Sequence, residues 1–205
     1  MTLIAVETEI VPADLDERPR AGESADETAR RLAVGKACAS TLDDADAILA
    51  ADTVVVLDGE LFGKPADAEQ AAAMLRRLRG RWHTVITAVA LRTANEVLRV
   101  REVGSAVRLR RFSDREIDVS VASGFPLDKA GAYGIQDERF RPVDNLDGCF
   151  SNVVGLPLCE VERLLEPLGV AASGDAVGAP ERCNLCVRAS RLSGIGGSWQ
   201  LGPRD

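Results

Sequence analysis

The chain has 205 residues, 46% of them hydrophobic, enough to bury one sizeable core but not two large independent domains. Asp and Glu total 32 against 25 Lys and Arg, so the long-range field repels polyanions and argues against a nucleic-acid groove. No apolar run is long enough for a membrane span, and the N-terminus lacks a signal peptide's basic and apolar regions, so a cytoplasmic protein with no membrane partner is expected.

Thr2–Val6 is short, apolar and β-prone, and Glu9-Ile10-Val11 reads as a second extended piece before Pro12-Ala13-Asp14. Ser24 with Glu27 forms a capping box, and Ala29, Leu32, Ala33, Lys36 and Ala37 then recur at helical spacing toward Thr41. Ala47–Leu57 has the profile of a buried strand interrupted by Asp52 and Thr53, and Asp58-Gly59 signals a tight turn into Leu61-Phe62. Asp67 is the expected N-cap of an alanine-rich helix that runs through Leu78 and stops at Gly80. His83–Arg92 and Glu96–Arg110 alternate like strands and predict an antiparallel hairpin through Thr93-Ala94-Asn95.

Ser113 and Glu116 cap a further helix that ends near Ser123-Gly124. A polar loop at 126–136 and an irregular stretch lead to a last helix from Pro157 to Leu168. Residues 171–205 are rich in Gly, Ala, Ser and Arg and lack periodicity, so the expected organisation is one domain at 1–170 and a disordered tail. Strands of parallel and antiparallel type alternate with helices, which gives an α/β class with a mixed sheet flanked by helices.

Five cysteines at irregular spacing read as free thiols rather than a disulfide framework. Cys183 and Cys186 make half a zinc knuckle, and a complete site would need a second chain. The pair is read as incidental, with a zinc-clamped homodimer as the rival.

Asp52 interrupts the most hydrophobic strand, where an unpaired carboxylate is very costly. It is either satisfied by neighbouring amides or a lysine, or it is a metal ligand or general base whose pKa that setting tunes. Lys64 lies between Gly63 and Pro65, and Lys129 precedes Ala130-Gly131; compact ammoniums framed by glycine suit phosphate oxygens. Lys36 lies on an apolar helical stripe, where snorkelling to solvent is the commoner outcome. Glu17 is a second carboxylate able to help Asp52 hold a divalent cation, although a solvated loop charge is commoner.

Tyr133 and Gln136 offer a ring and an amide of the kind that read a base, although a lone tyrosine is often a loop anchor. His83 with Thr84 and Thr87 is a further polar cluster able to face the site, although a lone histidine is more often a core or edge residue. No Walker A loop, dinucleotide fingerprint or histidine zinc motif occurs.

Taken together, the Val-Pro-x-x-x-x-Glu piece ending at Glu17, Ala51-Asp52-Thr53, Gly63-Lys64-Pro65, Gly80 with His83, the 126–136 loop and Ser151–Pro157 resemble the Maf family of nucleoside triphosphate pyrophosphatases. The resemblance implies an inosine-triphosphate-pyrophosphatase-like α/β fold with two lobes around a cleft. It also implies hydrolysis of a nucleoside triphosphate to monophosphate and pyrophosphate with Mg²⁺ or Mn²⁺. On that likeness Asp52 activates water or holds the metal, and Glu17 is its metal partner. Lys36, Lys64 and Lys129 clamp phosphates, and Thr53 and Gln136 match the dTTP/UTP-type branch.

The family's N-terminal Ser-x-Ser-Pro-Arg-Arg loop has no counterpart here, because Glu7 runs at once into Thr8–Val11. Either a start upstream of Met1 or a deletion accounts for that. Loss of two guanidiniums is expected to weaken transition-state stabilisation by orders of magnitude. The alternative expectation is therefore a catalytically impaired relative that binds nucleotides or acts in septum control.

Overall fold

A computed structural model describes residues 8–42, 47–95 and 97–170. The expected strand at Thr2–Val6, the 171–205 tail and its Cys183/Cys186 pair lie outside the described residues. The helices are α1 (Ala25–Ala39), α2 (Ala68–Leu78), α3 (Asp114–Ala122), α4 (Phe150–Val154) and α5 (Leu158–Leu165). The strands are β1 (Ala47–Leu57), β2 (Glu60–Phe62), β3 (Trp82–Thr93), β4 (Leu98–Leu109) and β5 (Val143–Asp147). They form one sheet in the order β2-β1-β3-β4-β5, and every pairing among the described residues is antiparallel. The α/β class with helices flanking a sheet is the one expected, but in place of a mixed sheet the described strands pair antiparallel throughout, because hairpin and meander connections join neighbours.

Local chemistry explains most element boundaries. In α1 both halves of the capping box form, with the Ser24 N–H donating to Glu27 Oε2 at 2.8 Å. At its other end the Arg92 guanidinium donates to the carbonyls of Ala37 and Ser40, satisfying acceptors that a helix terminus leaves open. Asp58 and Gly59 both take positive φ, 53° and 80°, which closes the β1–β2 hairpin as a two-residue turn. The last helix stops at Leu165, and Pro167 lies in a 3₁₀ turn over Glu166–Leu168.

Two short elements carried no sequence signal. β5 buries only Leu146 fully, with Val143 packed part-buried against the core, so no alternation marks it. In α4 the cap is the Cys149 thiol, which accepts from the Asn152 N–H at 3.4 Å in place of the usual hydroxyl or carboxylate. Cys159 is disulfide-bonded, against the expectation of free thiols.

Strand alternation splits the core between the two sheet faces. Ala29, Ala33 and Ala37 let α1 approach Val54, Ala88 and Ala90 closely on one face. On the other, α2, α3 and the 126–136 loop cover Val55, Leu57, Val85, Val107 and Leu109, while α5 covers Val89 and Leu91. Each fully buried leucine or valine here stabilises by roughly 1.5–3 kcal/mol. No helix among the described residues is long and apolar enough to cross a membrane.

Candidate active site

Beyond Val54 the edge of β1 is covered by β2, but the stretch from Ala51 to Val54 borders an open cleft of about 660 Å³. That volume falls in the range of small-molecule sites. The residue alternation of β1 divides the cleft chemically. Asp52 points to the α1 face and Thr53 to the opposite face, so adjacent residues serve two ends of one ligand site.

Acidic and basic groups gather on the α1 side. Asp52 is only 8% exposed, and its Oδ1 accepts from Lys36 Nζ at 2.6 Å. The same ammonium lies 2.7 Å from Glu17 Oε1, and Lys64 Nζ donates to Glu17 Oε2 at 3.2 Å. Burial pushes the Asp52 carboxyl above its usual range against the opposing pull of Lys36. The Lys36 hydrogen bond holds Glu17 below the usual range despite some desolvation. For Lys36 burial works against the charge, but Asp52 and Glu17 together outweigh it and keep the ammonium protonated. Lys36 thus reaches inward to two carboxylates and does not snorkel.

Glu17 has no regular element beneath it. Its segment is stapled to α1 by Arg31, whose guanidinium pairs with Glu23 at 2.6 and 2.8 Å and donates to the Arg18 carbonyl at 3.1 Å. The Arg18 side chain lies at the cleft mouth in a bidentate pair with Asp16. Sequence reasoning missed Arg18; its position follows from the staple, which no local pattern announces.

The opposite wall is the 126–136 loop. Gly131, at φ 68°, donates its N–H to the Gly63 carbonyl at 3.1 Å, which brings the Lys64 and Lys129 segments side by side. A Cβ at Gly131 would meet Leu78 Cδ1 at 3.2 Å and Val55 at 3.3 Å, so the close docking requires glycine. Lys129 Nζ sits 2.6 Å from Asp128 Oδ1 and 4.0 Å from the Phe125 ring centroid, a cation–π arrangement. Gln136 lines the cleft with a buried Oε1 that has no protein partner, leaving an acceptor for a ligand.

Tyr133 is among the residues lining the cleft, and its hydroxyl shares a 2.7 Å hydrogen bond with His83 Nε2. His83 does not line the cleft. It stands behind Tyr133, edge-on at 5.4 Å between ring centroids, and fixes that ring. Burial takes the His83 imidazole down to about 4, so it is neutral, and pushes the Tyr133 hydroxyl far up. Thr53 Oγ1 lies 2.9 Å from Thr87 Oγ1 on the neighbouring strand.

A profile of the Maf-like protein family matches residues 1–168. The chain belongs to the Maf family. Among curated Maf relatives, one from Thermomicrobium roseum is 43% identical over 192 residues, covering 92% of this chain and 88% of its own length. One from Hahella chejuensis is 45% identical, covering 84% of this chain and 87% of its own. One from Shewanella oneidensis is 47% identical over 79% and 85%. All three bear the name dTTP/UTP pyrophosphatase.

Within this Maf chain the cleft brings eight sequence-selected residues to its lining: Glu17, Lys36, Asp52, Thr53, Lys64, Lys129, Tyr133 and Gln136. Among the described residues no group of three or more His, Cys, Asp or Glu side chains is placed to close around a metal. Glu17 and Asp52 supply two hard oxygen donors, and further ligands would come from phosphate and water.

Proposed function

We propose that this Maf protein hydrolyses dTTP, UTP or modified pyrimidine triphosphates to the monophosphate and pyrophosphate. The observation that carries the reading is the pairing of one buried carboxylate, Asp52, with the Lys36, Glu17 and Lys64 cluster along a single cleft wall. The names of the relatives agree with it.

Asp52 is the general base: burial raises its affinity for a proton, and it takes one from the water that attacks the α-phosphorus. The bond to the bridging oxygen breaks, and pyrophosphate leaves among Lys36, Lys64 and Lys129. Glu17 and Asp52, which converge at 2.7 and 2.6 Å on one ammonium, fit a divalent cation such as Mg²⁺ or Mn²⁺. When bound, that cation neutralises phosphate charge and lowers the pKa of its waters. Tyr133 packs against the base, and Gln136 and Thr53 meet its polar edge.

Product analysis tests this. Incubation with UTP and Mg²⁺ should give equimolar UMP and pyrophosphate. UDP with orthophosphate would overturn the reading, and tight UTP binding without turnover would restore the impaired-relative alternative.

A further inference from the structure

Thr87 is fully buried in β3, on the sheet face shared with Thr53 and between the cluster under the 126–136 loop and the cluster under α5. A hydroxyl in that position has a single hydrogen and two lone pairs to place. Thr87 Oγ1 contacts two oxygens at 2.9 Å each, the Asn152 backbone carbonyl and Thr53 Oγ1. The carbonyl can only accept, so the Thr87 hydrogen goes to it. The remaining contact is then a hydrogen bond only if Thr53 donates.

The Asn152 carbonyl is itself held in place. Its own side-chain amide donates to the Val85 carbonyl at 3.1 Å and to Ser105 Oγ at 2.8 Å, and Ser105 Oγ also accepts from the Cys149 N–H at 3.0 Å. Gly155 ends α4 at φ 115°, and a Cβ there would stand 3.4 Å from Thr53 Oγ1. The direction of the chain from Thr53 through Thr87 to Asn152 is therefore built into β3 and α4 and does not depend on a ligand.

We propose that Thr87 is a specificity-determining positioning residue: by taking the Thr53 hydrogen it makes Thr53 an acceptor-only group that selects the imide N3–H of uracil or thymine. Gln136 Oε1, which has no protein partner, is a second acceptor lining the same cleft. Cytosine presents a lone pair at N3, which meets the lone pairs of Thr53 and leaves both unpaired in a partly dry site. The inference rests on the pyrimidine triphosphatase reading and deepens it, because it names the group that sets the base preference without touching the substrate.

The test is the ratio of kcat/KM for UTP to that for CTP. In Thr87→Val the Thr53 hydrogen is released and can turn toward the ligand, so the ratio should fall by about tenfold, largely through a gain with CTP. Thr87→Ser keeps the hydroxyl and should restore the ratio. A variant that only loosened packing would slow both substrates alike.

Because Thr87→Val also strips a partner from a buried carbonyl and can fail to fold, the unaltered protein gives a second measurement. 3-Deazauridine triphosphate keeps the ring shape but carries C–H in place of N3–H, and its kcat/KM should lie at least about tenfold below that of UTP. An unchanged UTP-to-CTP ratio in folded Thr87→Val, or equal turnover of UTP and the deaza analogue, overturns this inference alone. Absence of any pyrophosphate release from UTP overturns the functional reading and this inference with it.

Discussion

Asp52 is a buried acid whose structural and chemical roles a single substitution separates. The lysine partner expected of an internally satisfied acid is present, and because Lys36 is shared with Glu17 at the wall of a cleft the same setting also suits a general base. Asp52→Asn keeps the shape and still accepts from Lys36 while losing its basicity. Turnover should fall at least a hundredfold with the fold intact, as measured by kcat alongside circular dichroism. Retention of more than about a tenth of kcat would assign Asp52 to the ion pair alone.

Lys64 and Lys129 were legible from their glycine framing, because such framing has little purpose around a solvated lysine. Arg18 and the fixed polarity of Thr53 were not. Both depend on contacts between residues far apart in the chain, Arg31 with the Arg18 carbonyl and Thr87 with the Asn152 carbonyl.

Among the elements, the 126–136 loop is the one whose backbone most directly sets the site. Gly131 and Ala132 both take positive φ, 68° and 60°, where non-glycine residues are strained. Lys129, Tyr133 and Gln136 all ride on that bend. Gly131→Ala should destabilise by about 1–3 kcal/mol, since it adds backbone strain and pushes a methyl against Leu78 and Val55. That corresponds to a melting temperature lower by roughly 2–10 °C, with KM for UTP raised as the loop lifts from Gly63. A melting temperature unchanged within a degree would show that the loop yields without cost.

The longer elements were readable because capping boxes, the Asp-Gly turn and strand alternation are local. β5 and α4 escaped notice because a five-residue element repeats no pattern long enough to detect. Even so, α4 supplies the Asn152 carbonyl on which the Thr53–Thr87 chain ends.

For the whole molecule, the buried His83 couples stability to pH. Its pKa is depressed from an ordinary 6.5 to about 4, so the unfolded chain binds the proton more readily than the folded one. The resulting stability is fully present above pH 6.5, on the order of 3 kcal/mol, and is lost as pH falls from there through about 4. His83 is the only histidine in the sequence, so imidazole NMR reports it without ambiguity. Its titration midpoint should lie near pH 4, and a midpoint near 6.5 would place the ring in water and release Tyr133 from its support.

By itself the sequence determined the α/β class, the capped helices, the central hairpin and the residue types that could hold a polyanion. These follow from period, capping chemistry and composition, all of which act over a few residues. Only the tertiary structure decided which charges face one another, that His83 buttresses Tyr133 without lining the cleft, and that the Thr53 hydrogen is already committed. Such facts depend on antiparallel register and on helix docking, which set residue against residue across tens of positions. The Thr53–Thr87 pair exists because β1 and β3 align those two residues, and a slip of one position would turn Thr53 to the α1 face.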